Sequence, residues 1–287
     1  MYKRHYSLTA NPFLINPDPR FLWLGRQHKE AFTALVQGSK RPEGLTVLTG
    51  DMGTGKTTLI NALVNKLDQH TFIAILAHPT ITKLEFFNFL AESFNFYKRF
   101  STRIDFIKFF NSFLRTACKF GRRVFIIIDE AHKISKDVLE EIYVFSNYEM
   151  VEEIRFISHI EKRYRNPLNI YLVGQNELDA VLRTRQFIIL NKKAKERYNL
   201  KPLTEIETEQ YVNYRLKVAG AKREIFTNKA LKTLHRISGG YPREINILCE
   251  NALLTGYFKG AEKIKPRIIK KCAKKHGYPL NGHRGEL

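Results

Sequence analysis

Short apolar runs alternate with segments of helical periodicity along the chain up to about residue 200. The apolar runs predict strands and lie at residues 45–49, 71–78, 123–129 and 168–175. Apolar residues recur every three or four positions between these runs, and the resulting helices lie at residues 57–68, 83–94 and 104–120. The run at 123–129 is almost wholly apolar, which is typical of a parallel strand covered on both faces. The pattern predicts an α/β fold with a parallel sheet flanked by helices.

The pattern changes near residue 200, where the strand signals stop. The segments that follow begin at a threonine or a proline and carry helical periodicity, and several end at a glycine. We therefore predict a boundary near residue 200 and an all-α domain after it. The predicted divisions are an N-terminal segment, an α/β domain, a helical domain and a flexible tail, at residues 1–44, 45–200, 201–276 and 277–287.

A glycine-rich loop stands between the first predicted strand and the first predicted helix. The stretch "VLTGDMGTGKTTLI" matches the phosphate-loop pattern GxxxxGK[ST]. Glycines allow backbone N–H groups to surround phosphate oxygens, and the helix offers its positive N-terminus. The sequence predicts that Lys56 reaches the β- and γ-phosphates of ATP and that the Thr57 hydroxyl binds Mg²⁺. The predicted nucleotide-binding residues are Gly50, Asp51, Met52, Gly53, Thr54, Gly55, Lys56, Thr57 and Thr58.

Two acids follow the apolar strand in the stretch "FIIIDEAH". Asp129 is predicted to hold the Mg²⁺ ion, and Glu130 to orient and deprotonate the attacking water. The alternative is that both acids cap the next helix. His132 resembles the last letter of the DEAH helicase box, but no other helicase motif accompanies it. We therefore interpret His132 as an ordinary loop histidine.

Two further polar residues are candidates for sensing the nucleotide. Gln175 ends the strand "YLVGQ", where its side chain could bond the γ-phosphate or the water; the alternative is an N-cap for the helix near Glu177. Arg243 starts a helix of the second domain and could reach the phosphates. Its alternative is a solvated arginine at a helix start. Lys56, Glu130, Gln175 and Arg243 are the predicted catalytic residues.

The composition indicates a polyanionic partner. Lys and Arg total 48 against 28 Asp and Glu, a net charge of +20, which favours nucleic acid or an anionic membrane surface. The alternative is a basic surface that only confers solubility. The basic clusters lie at residues 161–165, 183–197 and 263–275. No apolar run is long enough for a membrane helix and no secretory signal is present, so we expect a cytoplasmic protein without an integral membrane segment.

Several segments together resemble the AAA+ ATPases of the ExeA/GspA type, which assist general secretion, and their relatives MshM, TnsC, TniB and MuB. The resemblance covers residues 2 to about 275 and rests on "NPFLINPDPRFLWLGRQHKEAF", "LTGDMGTGKTTL", "IIIDEAH", "YLVGQNEL", "RYNLKPLTEIETEQYVNYRL" and "ISGGYPREINILCENAL". It implies that the N-terminal segment packs near the adenine. Gln175 then corresponds to sensor 1, Arg243 to sensor 2, and residues 200–276 to the helical lid.

The resemblance also implies a ring or filament of this chain that hydrolyses ATP slowly, in response to assembly or a partner. The partner would be an envelope-assembly protein of secretion or pilus formation. The alternative is double-stranded DNA, as for the transposition ATPases. A nearly inactive nucleotide-binding scaffold is a further reading.

The chain departs from the family pattern at two places. Lys192 and Lys193 stand where the family carries the arginine that acts on a neighbouring subunit, and lysine does not replace a bidentate clamp. The arginines that could substitute are Arg183, Arg185 and Arg197. The connection at 150–166 is also longer than is usual in the family.

Overall fold

The computed structural model describes residues 2–14, 18–41, 44–146 and 167–279. The long connection at 150–166, its basic cluster at 161–165 and most of the predicted tail lie outside these residues. The chain divides into two compact units. We call Met1–Lys29, Asp51–Ala62 and Leu200–Leu287 the helical unit, and Glu30–Gly50 and Leu63–Asn199 the sheet unit.

A five-stranded sheet forms the centre of the sheet unit, in the order β2-β3-β4-β1-β5. The strands are β1 (Gly44–Gly50), β2 (Phe72–Leu76), β3 (Val124–Ile128), β4 (Leu168–Val173) and β5 (Ala194–Leu200). The pairs β1–β4, β3–β4 and β2–β3 are all parallel. Every residue of β3 is buried, as its apolar run predicts. The predicted α/β fold with a parallel sheet is confirmed.

The fifth strand is absent from the sequence prediction. Its residues "AKERYNL" contain no apolar run, and they alternate between half-buried and exposed positions until Leu200. A strand with this pattern suits the edge of a sheet. The β5 strand lies at that edge and is stabilised by hydrogen bonds to β1 more than by burial of its side chains.

The helices of the sheet unit cover a core rich in phenylalanine. They are α4 (Lys83–Ser93), α5 (Arg103–Lys119), α6 (Lys136–Ser146), α7 (Glu177–Leu182) and α8 (Ile188–Lys193). The α4 helix begins with a capping box formed by Thr82 and Glu85, and Thr102 caps α5. Phe86, Phe106 and Phe110 pack with the apolar side chains of the sheet. Two helices, α2 (Arg26–Lys40) and α3 (Lys56–Val64), contain residues of both units.

The helical unit gathers the N-terminal segment, the glycine-rich loop and the C-terminal helices. The short α1 (Tyr2–His5) precedes the unit's other helices, which are α9 (Glu205–Val218), α10 (Asn228–Ser238), α11 (Pro242–Phe258) and α12 (Pro266–Lys275). Thr204 and Thr227 cap α9 and α10, as their sequences predict. Tyr6 and Phe13 are buried in the same core as the C-terminal helices. Within the described ranges, no helix is both long enough and apolar enough to cross a membrane.

Candidate nucleotide-binding site

The glycine-rich loop connects the last residue of β1, Gly50, to the first residue of α3, Lys56. Gly53 has a φ of +83° in this loop, a backbone conformation that an L side chain adopts only with strain. The turn brings the chain directly into the N-terminus of α3. A helix N-terminus carries unpaired N–H groups and partial positive charge, so the local structure is suited to a phosphate group.

Lys56 folds back over this loop. Its side chain is 6% exposed, and its Nζ donates a hydrogen bond to the carbonyl oxygen of Asp51 at 2.9 Å. The hydroxyl of Thr54 donates a hydrogen bond to the same oxygen at 2.8 Å, and this bond stabilises the turn. This contact holds the Lys56 ammonium over the loop at the N-terminus of α3, where positive charge favours a phosphate group. Thr57, Thr58 and Met52 are exposed.

The start of α11 contacts the loop within the helical unit. The backbone N–H of Arg243 donates to the carbonyl oxygen of Gly53 at 3.3 Å, and the Tyr241 hydroxyl donates to Oδ2 of Asp51 at 2.9 Å. A Cβ atom on Gly53 would lie 3.1 Å from Cβ of Arg243, so the two backbones are in close contact. The Arg243 side chain itself is exposed. The structure thus places Arg243 beside the phosphate loop.

His28 connects the N-terminal segment to the same loop. The Nε2–H of His28 donates to the carbonyl oxygen of Thr54 at 2.9 Å, and the side chain is 6% exposed. Burial lowers the pKa of His28, and the bond to Thr54 opposes that shift only in part. Among the described residues, its Nδ1 has no hydrogen-bond partner. No motif in the sequence marks His28.

The two acids lie in the sheet unit, at the end of β3. Asp129 is buried, and its Oδ1 accepts a hydrogen bond from the backbone N–H of Glu130 at 2.8 Å. Glu130 has a φ of +53°, an uncommon conformation for a residue with a side chain. Its carboxylate forms an ion pair with Lys133 at 2.9 Å and makes no capping bond to the turn that follows. The capping alternative for Glu130 is therefore not what the structure shows.

Gln175 follows β4 in the same unit and contacts His132. The backbone N–H of Gln175 donates to Nδ1 of His132 at 3.3 Å, and its side-chain amide lies 3.2 Å from Nε2 of that ring. Asn176, and not Gln175, occupies the N-cap position of α7 and makes no side-chain cap there. The sequence predicts an ordinary loop histidine at His132. No local pattern marks its contacts with Gln175, because the two residues are 43 positions apart.

Each unit therefore brings together a different set of predicted residues. In the helical unit, residues 51–58 meet the start of α11 at Arg243. In the sheet unit, His132 contacts both Glu130 and Gln175, and Asp129 directly precedes Glu130.

The residues considered as substitutes for the missing arginine occupy different surroundings. Lys193 donates from its Nζ to the carbonyl oxygen of Ser146 at 2.6 Å. Arg197 forms an ion pair with Asp179 at 2.7 Å, so its guanidinium is engaged within its own subunit. Arg183, Arg185 and Lys192 are exposed.

The expected donors for a divalent ion are few. In the described part of the chain, no group of three or more His, Cys, Asp or Glu side chains is arranged to hold a metal. The predicted ligands of Mg²⁺ are one hydroxyl, Thr57, and one carboxylate, Asp129. A hydroxyl and a carboxylate are each oxygen donors that suit Mg²⁺, which commonly binds through one or two protein ligands together with substrate phosphates and water.

Comparison with known proteins agrees with this geometry. A family model described as an AAA domain matches residues 39–182, which include the loop, the acidic pair and Gln175. The chain belongs to this family. The AAA-domain chain is also 33% identical over 287 residues to General secretion pathway protein A of Aeromonas hydrophila, which makes it an AAA+ protein of the ExeA/GspA type. The match covers 100% of this chain and 50% of that relative, so the chain spans half the length of the relative.

Solved structures share the fold of this AAA-domain chain at low sequence identity. Cdc6p from Pyrobaculum aerophilum has a TM-score of 0.67 at 18% identity, over 90% of this chain and 70% of that one. The structure of Drosophila ORC bound to DNA has a TM-score of 0.66 at 12% identity, over 96% and 65%. The RuvB Holliday junction branch migration motor of Thermotoga maritima has a TM-score of 0.56 at 17% identity, over 91% and 72%. These similarities establish the P-loop AAA+ fold with its C-terminal helices.

Proposed function

We propose that this AAA-domain protein binds and hydrolyses Mg-ATP and uses the nucleotide to change the position of its C-terminal lid against a protein partner. The observation that carries the proposal is the direct bonding of α11 to the phosphate loop, at Gly53 and at Asp51. A change in the loop on nucleotide binding must alter these bonds, so the lid helix is coupled to the occupancy of the site.

The residues take the roles that their chemistry suits. Lys56 and the backbone N–H groups of the loop bind the β- and γ-phosphates, and Arg243 senses the γ-phosphate from the lid. Glu130 orients and deprotonates the attacking water, and Gln175 holds the water or the γ-phosphate. Thr57 and Asp129 would hold Mg²⁺, which when bound neutralises charge on the phosphate oxygens.

The nature of the partner is inferred from the curated relative. Its name assigns General secretion pathway protein A to secretion, so we propose an envelope-assembly protein of a secretion or pilus system as the partner. We further propose that the chain works as a ring or filament, in which Arg183 or Arg185 contacts the nucleotide of the next subunit. A cytoplasmic location follows from this role, because ATP is available there.

Hydrogen exchange of the purified chain tests the nucleotide-driven lid change. A non-hydrolysable ATP analogue should slow amide exchange in residues 51–56 and at Arg243, because the loop and the α11 start become ordered together. The Lys56→Ala variant is the control and should show neither effect. Slowed exchange in the loop with no change at the start of α11 would contradict the coupling. Identical exchange with and without the analogue would contradict nucleotide binding itself.

A second candidate function, ATP-dependent binding of double-stranded DNA, is favoured by one surface of the helical unit. Every exposed residue of α12 is Lys or Arg, and α12 packs against α10, whose exposed face is also basic. The apolar residues of α12, Ile268 and Ile269, are buried and so cannot insert into a lipid interface. We call this surface the basic lid face; its residues are Lys229, Lys232, Arg236, Arg267, Lys270, Lys271, Lys274 and Lys275.

Steady-state ATP hydrolysis with and without random duplex DNA separates the two candidates. Stimulation by DNA that weakens between low and near-physiological salt would favour the second candidate, because phosphate contacts release counterions. Lys270→Glu with Lys274→Glu should then abolish the stimulation, whereas the same charge change at Lys108 and Lys119 of α5 should not. Basal hydrolysis that does not respond to DNA would contradict the second candidate function and favour a protein partner.

A further inference from the structure

His132 lies between two residues that the proposed reaction needs. Its Nδ1 accepts a hydrogen bond from the Gln175 backbone at 3.3 Å, and its Nε2 lies 3.2 Å from the Gln175 amide and 3.7 Å from Oε2 of Glu130. The His132 side chain is only 10% exposed. A Cβ atom on Gly174 would lie 3.1 Å from the His132 backbone nitrogen, so a glycine at the end of β4 permits this close approach.

These contacts fix the tautomer of the ring. A backbone N–H can only donate, so Nδ1 of His132 must carry a lone pair. In the neutral imidazole the proton is then on Nε2. Of the two amide atoms of Gln175, only the oxygen can accept a hydrogen bond from that N–H, so we assign the amide the orientation that turns its oxygen, rather than the nitrogen placed 3.2 Å away, towards Nε2. His132 thus donates its single N–H to the side chain of Gln175.

The Glu130 carboxylate also lies near Nε2 of His132. Its Oε2 is 3.7 Å from that nitrogen, half an ångström farther than the Gln175 amide at 3.2 Å. In this arrangement Glu130 bonds to Lys133 instead, at 2.9 Å. The backbone of Glu130 is in the left-handed region, which is uncommon for a residue with a side chain and occurs often at functional sites.

We infer that His132 is a positioning residue that transfers its Nε2–H bond from Gln175 to Glu130 when Gln175 turns to the nucleotide. One proton cannot serve both acceptors fully, so the departure of the Gln175 side chain makes the N–H available to the carboxylate. Glu130 then gains a fixed donor that orients it towards the water. The inference rests on the proposed function, because it assigns the step between phosphate sensing and activation of the water.

Kinetics of the full chain provide the first test. His132→Ala should lower kcat by between about ten- and a hundredfold, because a misplaced base loses most of its effect, while the KM for ATP stays within about twofold. His70→Gln, at an exposed position, is the control and should leave both constants unchanged. Wild-type kcat in His132→Ala would overturn the inference.

Two conservative variants distinguish the two ring nitrogens. The amide nitrogen of a glutamine reaches the place of Nε2, whereas the amide oxygen of an asparagine replaces only Nδ1. His132→Gln should therefore keep more of the wild-type kcat than His132→Asn. A merely structural role would favour the variant that preserves the bond from the Gln175 backbone, so equal rates or a higher rate in His132→Asn would overturn the inference.

The ring tautomer can be measured without any nucleotide. Nitrogen NMR of the ¹⁵N-histidine-labelled chain, with the His132 signal assigned by its loss in His132→Gln, should show a protonated Nε2 and an unprotonated Nδ1. The opposite tautomer would overturn the inference whatever the kinetics show. If the wild-type chain does not hydrolyse ATP, the proposed function fails, and the NMR result still decides the hydrogen-bond arrangement at His132.

Discussion

The Tyr241 hydroxyl donates a hydrogen bond to the Asp51 carboxylate across 2.9 Å, although the two residues are 190 positions apart in the chain. Tyr241 directly precedes α11, and Asp51 is the second residue of the phosphate loop. The bond therefore joins the start of α11 to the glycine-rich loop.

Tyr241→Phe tests the strength of this connection. Removing the hydroxyl deletes a hydrogen bond to a charged group, and we expect the free energy of unfolding to fall by about 1 kcal/mol. That loss corresponds to a decrease in Tm of roughly 2–4 °C in thermal unfolding. Tyr97→Phe is the matched control, because Tyr97 is 99% exposed, and its Tm should equal that of the wild type. Equal Tm values for the two variants would contradict a stabilising bond at Tyr241.

Gly53→Ala should destabilise the chain more than Gly260→Ala. Both glycines have positive φ, +83° and +60°, so each substitution carries about 1 kcal/mol of backbone strain. A Cβ at Gly53 would also lie 3.1 Å from Cβ of Arg243, whereas no atom lies within 4 Å of one at Gly260. Urea unfolding measures the difference. A Gly260→Ala variant as unstable as Gly53→Ala would show that the contact with α11 adds nothing.

The sequence predicts the parts of this molecule that depend on local pattern. The strands β1 to β4 are short, mostly apolar and β-branched or aromatic runs, and the loop ending at Lys56 is a motif of fixed spacing, so both are recognised without knowledge of distant residues. Thr204 and Thr227 likewise cap helices where a cap is expected.

The remaining features depend on contacts between distant segments. The edge strand β5 has no apolar run because its outer positions face solvent. The bond from His28 to Thr54 crosses 26 positions, and the contacts of His132 with Gln175 cross 43. A single histidine in a polar segment looks the same in sequence whether it is exposed or buried against a loop, so neither role could be predicted.

His28 should make the stability of the chain depend on pH. Burial lowers its pKa in the folded state below the ordinary 6.5, so the unfolded chain takes up a proton that the folded chain does not. The free energy of unfolding therefore falls as the pH drops below about 6.5 towards the lowered pKa. His28→Gln keeps an N–H donor for Thr54 but does not titrate, so it should lose less stability between pH 7 and pH 5.5.

The pH dependence of that variant has its own control. His276→Gln, the same substitution at an exposed histidine, is the matched variant. The pKa of His235 is also lowered by burial, so this residue likewise lowers the free energy of unfolding as the pH falls. His28→Gln should therefore retain part of the pH dependence of that free energy. Denaturant unfolding at several pH values measures it, and a slope in His28→Gln equal to that of the wild type would exclude His28 as a source.

The most direct measurement of the central claim is steady-state hydrolysis of Mg-ATP by the wild type and Glu130→Gln, together with their ATP affinities. We predict slow hydrolysis by the wild type, and a variant that binds ATP with wild-type affinity but turns it over at about a hundredth of the rate or less, because it lacks the base. Glu92→Gln removes the same charge from an exposed site and should behave as the wild type. A wild-type chain that does not hydrolyse Mg-ATP, or a Glu130→Gln variant with undiminished turnover, would contradict the account.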